Sequence, residues 1–227
     1  MRLIRAADAT AAAAIAADEV ASACRRAVGE RGIAVIAVSG GETPWRMLEQ
    51  LRTRDLPWPR IHVAQVDERV APADDARRNL ARLERILVTE GPLARGQLLA
   101  MPVEAADLGA AAAVYQRQLE ALAGRPLQLD LVQLGLGADG HTASLVPGDP
   151  VLDVTDRDVA LSGEYQGLAR MTLTLPALAR ARRRLWLVTG AGKRGRLQEL
   201  VAGTGDAAAV RVPRADSVVV ADAAAAG

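Results

Sequence analysis

The chain has 227 residues, of which 50% are hydrophobic and 24% are charged, and its formal net charge is +1. This length suits one large domain, predicted as residues 1–227, and the small net charge excludes a nucleic-acid binder that depends on a strong basic field. No stretch approaches the ~20 apolar residues that span a bilayer, so no membrane partner is expected. A single cysteine excludes internal disulfides, and acidic residues interrupt the N-terminal alanine run where a secretion signal would be uncharged. We therefore expect a cytoplasmic protein.

Short apolar runs alternate with amphipathic stretches along the chain, and the two patterns predict strands and helices. The predicted strands are 33–38, 61–66, 97–101, 129–134, 170–175, 184–189 and 217–220. The predicted helices are 8–29, 75–89, 106–123 and 193–201, with two more that begin at the prolines 44 and 176. Residues 149–168 are expected to form loops or a short hairpin, and the alanine-rich C-terminus is expected to fray. Strands alternating with helices predict an α/β fold with a mostly parallel sheet and helices on both faces.

A glycine turn follows the strand predicted at 33–38. Gly40 and Gly41 allow the backbone to approach a ligand closely, and Pro44 suits the first position of a helix. Free N–H groups and the positive end of that helix favour an anion, typically phosphate. An ordinary strand-to-helix turn is the alternative interpretation. Glu42 would repel a phosphate unless its side chain points away.

The stretch 129–147 holds the strongest catalytic candidate. Its apolar strand ends at a glycine turn that presents Asp139 and His141, one of only two histidines in the chain. Ligands of open α/β sheets bind beyond the carboxyl ends of the strands, so this pair is a candidate general base with its orienting carboxylate. The alternative is a tight turn whose histidine satisfies a local hydrogen bond.

The same turn also matches a dinucleotide-binding pattern, G-x-G-x-x-G, through Gly135, Gly137 and Gly140. That fingerprint opens directly into a helix. Here Pro147 and Pro150 follow too soon for a helix of useful length. We therefore do not expect a dinucleotide cofactor.

Other charged residues also stand directly after predicted strands. Asp67 and Arg69 follow the strand at 61–66, and Lys193 follows the strand at 184–189. From local sequence alone, Arg69 fits a phosphate contact and a surface ion pair equally well. Because parallel strands end at a common edge, we expect these residues to converge with the glycine turn and with the Asp139–His141 pair at one edge of one sheet.

Five motifs in order resemble those of 6-phosphogluconolactonases. They are 39–44 (SGGETP), 67–70 (DERV) with Asn79, 135–144 (GLGADGHTAS), 170–176 (RMTLTLP) and 190–193 (GAGK). Glucosamine-6-phosphate deaminases are related and share the glycine turn and the Asp-Gly-His core. Residues 142–145 take the lactonase form, and Arg69 stands where deaminases usually carry an aromatic residue.

The resemblance implies a Rossmann-like α/β domain of the deaminase and ribose-phosphate isomerase type. It implies hydrolysis of 6-phospho-D-glucono-1,5-lactone to 6-phosphogluconate in the oxidative pentose phosphate pathway, with no cofactor and no metal. In that family His141 would be the catalytic base and Asp139 its neighbour. The residues implied in substrate or phosphate binding are Gly40, Gly41, Thr43, Asp67, Arg69, Arg170 and Lys193. The sequence departs from the family at Glu42, where Ser or Thr is usual, and after Arg211.

Two other functions remain open. A deaminase or isomerase would use Asp67 as a base on a sugar ring, and a non-catalytic protein would bind a sugar phosphate on the same fold. A metal hydrolase is disfavoured because the chain has no ligand pair at helical spacing, and a serine hydrolase because it lacks G-x-S-x-G. The expected partner is a small phosphosugar lactone, and the expected assembly is a monomer or a small homo-oligomer.

Overall fold

The computed structural model describes all 227 residues and contains two sheets. The strands, in chain order, are β1 (Arg2–Ala6), β2 (Ala34–Val38), β3 (Ile61–Gln65), β4 (Asp67–Arg69), β5 (Leu98–Leu99), β6 (Leu131–Leu134), β7 (Val159–Tyr165), β8 (Leu168–Leu173), β9 (Arg184–Val188) and β10 (Ser217–Asp222). The main sheet has seven parallel strands in the order β1-β10-β9-β6-β2-β3-β5. The second sheet is antiparallel, with three strands in the order β4-β8-β7.

Seven helices connect and cover the strands. They are α1 (Ala9–Arg31), α2 (Glu42–Leu51), α3 (Asn79–Leu83, continued by a π-helical segment Glu84–Thr89), α4 (Leu108–Ala123), α5 (Leu175–Arg180), α6 (Arg194–Ala202) and α7 (Ala223–Ala226). α1 begins where the Asp8 carboxylate accepts the Ala11 N–H and ends at Gly32, whose φ of 76° suits glycine. None of the helices has both the length and the apolar character needed to cross a membrane.

The main sheet is buried on both faces, which explains why its central strands are apolar throughout. Successive side chains of β2 alternate between two apolar clusters: Val35 and Ala37 face the α4 side, and Ile36 and Val38 face α1 and α2. This arrangement confirms the predicted parallel α/β sheet with helices on both faces. Cys24 of α1 is a free, buried thiol in the second cluster, and burial raises its pKa to about 12.

Several predicted elements differ from the structure. β1 was not predicted because its two arginines hide the apolar pattern of an edge strand. Residues 67–69 were expected as a polar segment after a strand, but they form β4, which pairs with β8 of the second sheet. The helix predicted at 75–89 begins only at Asn79, and the C-terminal alanines form α7, capped by Asp222, instead of fraying.

The amino edge of the main sheet contains a cavity of about 450 Å³ lined by several arginines. Four of these arginines, Arg2, Arg31, Arg182 and Arg183, have carboxylate partners. The buried carboxylate of Asp130 pairs with Arg31, accepts the Val35 N–H at 2.8 Å and lies 3.6 Å from Arg182. The cavity also adjoins the C-terminal, electronegative end of α1, which favours cations and disfavours an anionic ligand. This cavity is therefore not the best candidate for a functional site.

Candidate active site

A second cavity, of about 350 Å³, lies at the carboxyl edge of the main sheet. The predicted site residues that line it are Gly40, Gly41, Thr43, Asp67, Arg69, His141, Arg170 and Lys193. Asp139 does not line the cavity but contacts His141 directly. The structure therefore brings together all the residues that the sequence singled out.

The prediction that these residues gather at one edge of one sheet is wrong, because they come from two sheets. Asp67 and Arg69 lie in β4, and Arg170 lies in β8, so all three belong to the antiparallel sheet. The Leu173 N–H donates to the Val66 carbonyl at 2.8 Å and connects this sheet to the end of β3. The cavity is consequently lined by residues of both sheets.

The glycine turn after β6 holds the histidine by close packing. A β-carbon at Gly137 would collide with the His141 imidazole, and Gly140 has a φ of 88°. The Gly137 N–H donates to the His141 carbonyl at 2.8 Å. No helix follows this turn before the short 3-10 segment Pro150–Asp153. The absence of a side chain at Gly137 therefore leaves room for the His141 imidazole. The turn lacks the helix that a dinucleotide fingerprint requires.

Asp139 and His141 form a hydrogen-bonded pair. Oδ1 of Asp139 lies 2.6 Å from Nδ1 of His141 and accepts the His141 backbone N–H at 3.1 Å. Partial burial raises the pKa of Asp139, but these hydrogen bonds outweigh it and hold the pKa below its ordinary value. An ionised carboxylate beside Nδ1 favours the tautomer with its proton on Nδ1, which leaves the lone pair on Nε2. The imidazole faces the cavity and is 27% exposed.

Tyr165, for which no role was predicted from the sequence, contacts both residues of this pair. Its O–H donates to Oδ2 of Asp139 at 3.0 Å, and its oxygen lies 3.4 Å from Nδ1 of His141. Burial and the hydrogen bond to Asp139 raise the pKa of Tyr165. The residue ends β7 in a stretch that looks irregular by sequence. The one local signal was its rarity, since the chain has only 2 tyrosines.

Two arginines stand opposite each other on adjacent strands of the second sheet. Arg69 pairs with Arg170 in the β4–β8 register, and both side chains line the cavity. Burial, and then the like charge of Arg69, lower the pKa of Arg170, whose Nε has no partner in the protein. Like charges directly across a sheet repel each other. This pair is therefore suited to an anionic ligand, and Lys193 lines the same cavity without an ion-pair partner.

The glycine loop supplies backbone donors to the cavity. Gly41 precedes α2 with a φ of 131°, and no side chain caps the first turn of that helix, so its N–H groups are available to a ligand. Thr43 lies in this turn, and its hydroxyl is 2.7 Å from that of Thr189. Glu42 also lines the cavity, and its carboxylate is 67% exposed and lies 3.5 Å from Arg46. This ion pair offsets part of the negative charge that Glu42 adds beside the loop.

A buried carboxylate, Glu68, organises the loop around these groups. Its Oε1 accepts the N–H groups of Arg69 and Asn79 at 2.8 Å each, and its Oε2 accepts that of Leu80 at 2.8 Å. The guanidinium of Arg78, also buried, lies 3.3 Å away. Asn79 in turn contacts the Arg69 side chain and packs where a β-carbon on Gly40 would stand. Glu68 and Asn79 belong to the second motif, but their roles were not predicted from the sequence.

Asp67 lies in the same wall of the cavity and is almost fully buried. Its Oδ2 accepts the Ser144 hydroxyl at 2.6 Å, which connects β4 to the turn that carries His141. This contact holds the two predicted parts of the site together across 77 residues of sequence.

The fold and the site define an α/β protein in which a histidine–carboxylate pair and a group of cations share one small cavity. The chain belongs to the family described as glucosamine-6-phosphate isomerases/6-phosphogluconolactonase, whose model matches residues 7–220.

Among its relatives, a 6-phosphogluconolactonase from Synechocystis sp. is 41% identical over 187 residues, which cover 80% of this chain and 77% of that protein. The crystal structure of 6-phosphogluconolactonase from Thermotoga maritima has a TM-score of 0.85 at 25% identity and covers 97% of this chain and 98% of that one. A monomeric glucosamine-6-phosphate deaminase has a TM-score of 0.87 at 20% identity, covering 100% and 99% of the two chains. This last likeness shows the fold alone.

Proposed function

We propose that this protein hydrolyses 6-phospho-D-glucono-1,5-lactone to 6-phosphogluconate, the hydrolytic step of the oxidative pentose phosphate pathway. The observation that carries the proposal is the shared cavity: His141 faces the same space as the opposed pair Arg69 and Arg170. A base is placed within the reach of a small substrate whose phosphate binds the cations. The relatives named 6-phosphogluconolactonase support the choice of substrate.

The reaction needs only a positioned base, because a δ-lactone is an activated ester. Nε2 of His141 takes a proton from water as the water oxygen attacks the lactone carbonyl carbon. The resulting imidazolium returns a proton to the ring oxygen as the C–O bond breaks, and the new carboxylic acid ionises. Asp139 holds the imidazole and stabilises its charged form during the attack. No cofactor takes part in this scheme.

The cations contribute through binding. Arg69, Arg170 and Lys193 hold the phosphate with the free N–H groups of the glycine loop, and that remote binding energy places the carbonyl beside His141. We place the enzyme in the cytoplasm as part of this proposal, where the single free thiol, Cys24, stays reduced.

The direct test supplies fresh phosphogluconolactone and follows acid release. The rate with enzyme is compared with spontaneous ring opening under the same buffer and temperature. The expected result is a saturable rate far above that background. A rate equal to the background would overturn the proposal.

A deaminase is the second candidate, because the fold is shared with a glucosamine-6-phosphate deaminase. In that function Asp67 would act as the base on the sugar ring, whereas its Oδ2 here accepts the Ser144 hydroxyl. Incubation with glucosamine-6-phosphate, with ammonia as the measured product, separates the two functions. We expect no ammonia above the level of a heat-inactivated sample.

Replacing Lys193 tests the phosphate-binding role. Lys193→Met is expected to raise KM for the lactone about 10- to 100-fold with little change in kcat, since a charge-assisted hydrogen bond contributes ~1.5–3 kcal/mol. Arg194→Met is the matched control, because that neighbouring cation bonds the Ala224 carbonyl at 3.1 Å and does not line the cavity. A fall in kcat with an unchanged KM would contradict the assignment of Lys193.

A further inference from the structure

Asp139 is not held by burial, since its side chain is 40% exposed. Its orientation depends on donors to its two oxygens. Nδ1 of His141 lies 2.6 Å from Oδ1, and the Tyr165 hydroxyl donates to Oδ2 at 3.0 Å. A carboxylate held at one oxygen can rotate about its Cβ–Cγ bond, whereas one held at both has a defined plane. Oδ1 also accepts the His141 backbone N–H at 3.1 Å, so both contacts with His141 are made by Oδ1 and Tyr165 supplies the donor to Oδ2.

Tyr165 is in turn held by Arg170. Nη2 of Arg170 donates to the Tyr165 carbonyl at 2.9 Å, and the guanidinium carbon lies 5.4 Å from the centre of the tyrosine ring. A guanidinium at this distance from an aromatic ring is attracted to it. The rings of Tyr165 and His141 have centroids 5.0 Å apart and are tilted by 59°. Arg170, Tyr165, Asp139 and His141 thus form a continuous series of contacts.

We infer that Tyr165 is a positioning residue for the catalytic histidine and that it couples the Arg170 cation to the Asp139–His141 pair. The effect on catalysis rests on the proposed function. The effect on the orientation and tautomer of the His141 imidazole does not depend on it. The hydroxyl fixes the Asp139 plane, and the Asp139 plane fixes the tautomer and the orientation of His141. Arg170, which lines the cavity, holds the tyrosine in place at the tip of the β7–β8 hairpin.

The hydrogen bonds of Asp139 determine whether loss of the Tyr165 hydroxyl favours or disfavours the protonated form of His141. The Tyr165 O–H donates to the ionised carboxylate and so offsets part of its negative charge. When this donor is removed, more of the carboxylate charge acts on the imidazole, and the protonated imidazole is favoured. The other charged residues that line the cavity with the imidazole are Glu42, Asp67, Arg69, Arg170 and Lys193.

The test uses Tyr165→Phe and follows the imidazole of His141 by NMR. The chain contains only two histidines, so spectra of His62→Gln assign the two sets of signals. We expect the titration midpoint of His141 to move to higher pH in Tyr165→Phe. We also expect the ¹⁵N shifts to show a smaller excess of the Nδ1–H tautomer. Phenylalanine keeps the ring beside Arg170, so a change in packing is minimised.

Glu164→Gln is the matched control in the same hairpin, because Glu164 is exposed and does not line the cavity. It should leave both the titration and the tautomer as in the unmodified protein. An unchanged His141 titration and tautomer in Tyr165→Phe would overturn the inference, whether or not the protein hydrolyses the lactone. This readout needs no substrate, so it is independent of the proposed function.

Kinetics test the coupling to Arg170. Tyr165→Phe should lower kcat about 3- to 30-fold with a near-normal KM, as expected for a lost positioning hydrogen bond. Arg170→Met should lower kcat as well as raise KM, because it frees Tyr165, whereas Lys193→Met should raise KM alone. If Arg170→Met changed KM only, Arg170 would act solely as a phosphate ligand and the coupling would be refuted.

Discussion

His141→Ala is expected to lower kcat for lactone hydrolysis by about 10²- to 10⁴-fold, the usual contribution of a positioned general base. The variant should bind substrate normally, because the cations and the glycine loop remain in place. The measurement is acid release from fresh phosphogluconolactone, corrected for spontaneous opening. Circular dichroism and the thermal midpoint check that the variant is folded, as expected for a partly exposed side chain.

His62→Gln is the matched control for this experiment. His62 is the other histidine of the chain, and it lies in β3 and does not line the cavity. Burial lowers its pKa, which favours the neutral imidazole. We expect its kcat to match that of the unmodified protein. Near-normal turnover in His141→Ala would rule out His141 as the base.

The second large effect is on stability, at Glu68. Glu68→Ala removes the acceptor for three backbone N–H groups and leaves the buried Arg78 guanidinium without its buried counter-ion. Breaking a buried charged network from one side costs about 3–5 kcal/mol, because the Arg78 guanidinium stays buried with only the half-exposed Glu104 as a counter-ion. Urea denaturation should show this loss as a lower midpoint. KM should also rise, since Asn79 and Arg69 lose their anchor.

Glu104→Ala provides the control for Glu68. Glu104 lies 2.9 Å from the same Arg78, but its side chain is 53% exposed. An exposed ion pair contributes ~0–1 kcal/mol, so this variant should be nearly as stable as the unmodified protein. If both substitutions cost the same, the burial of Glu68 would not be the source of its contribution to stability.

The fold class was predictable from the sequence because the central strands are buried on both faces. Their side chains must be apolar throughout, and the helices between them show one apolar face, so both patterns are local. β2 and β6 lie within one or two residues of their predicted bounds. β1 and β4 were missed because each carries charged residues and depends on pairing with a distant strand, β10 and β8 respectively.

The sequence by itself determined the parallel α/β class, the family resemblance, and the turns that carry Gly40, Gly41, Asp139 and His141. Glycine turns and strand ends are local features, and they can be read from neighbouring residues. Only the tertiary structure decided that Arg69 faces Arg170, that Glu68 binds the start of α3, and that Tyr165 donates to Asp139. Each of these contacts joins separate turns or strands. The strength of each contact depends on burial and on distance in the folded chain. Neither quantity can be read from the pattern of neighbouring residues in the sequence.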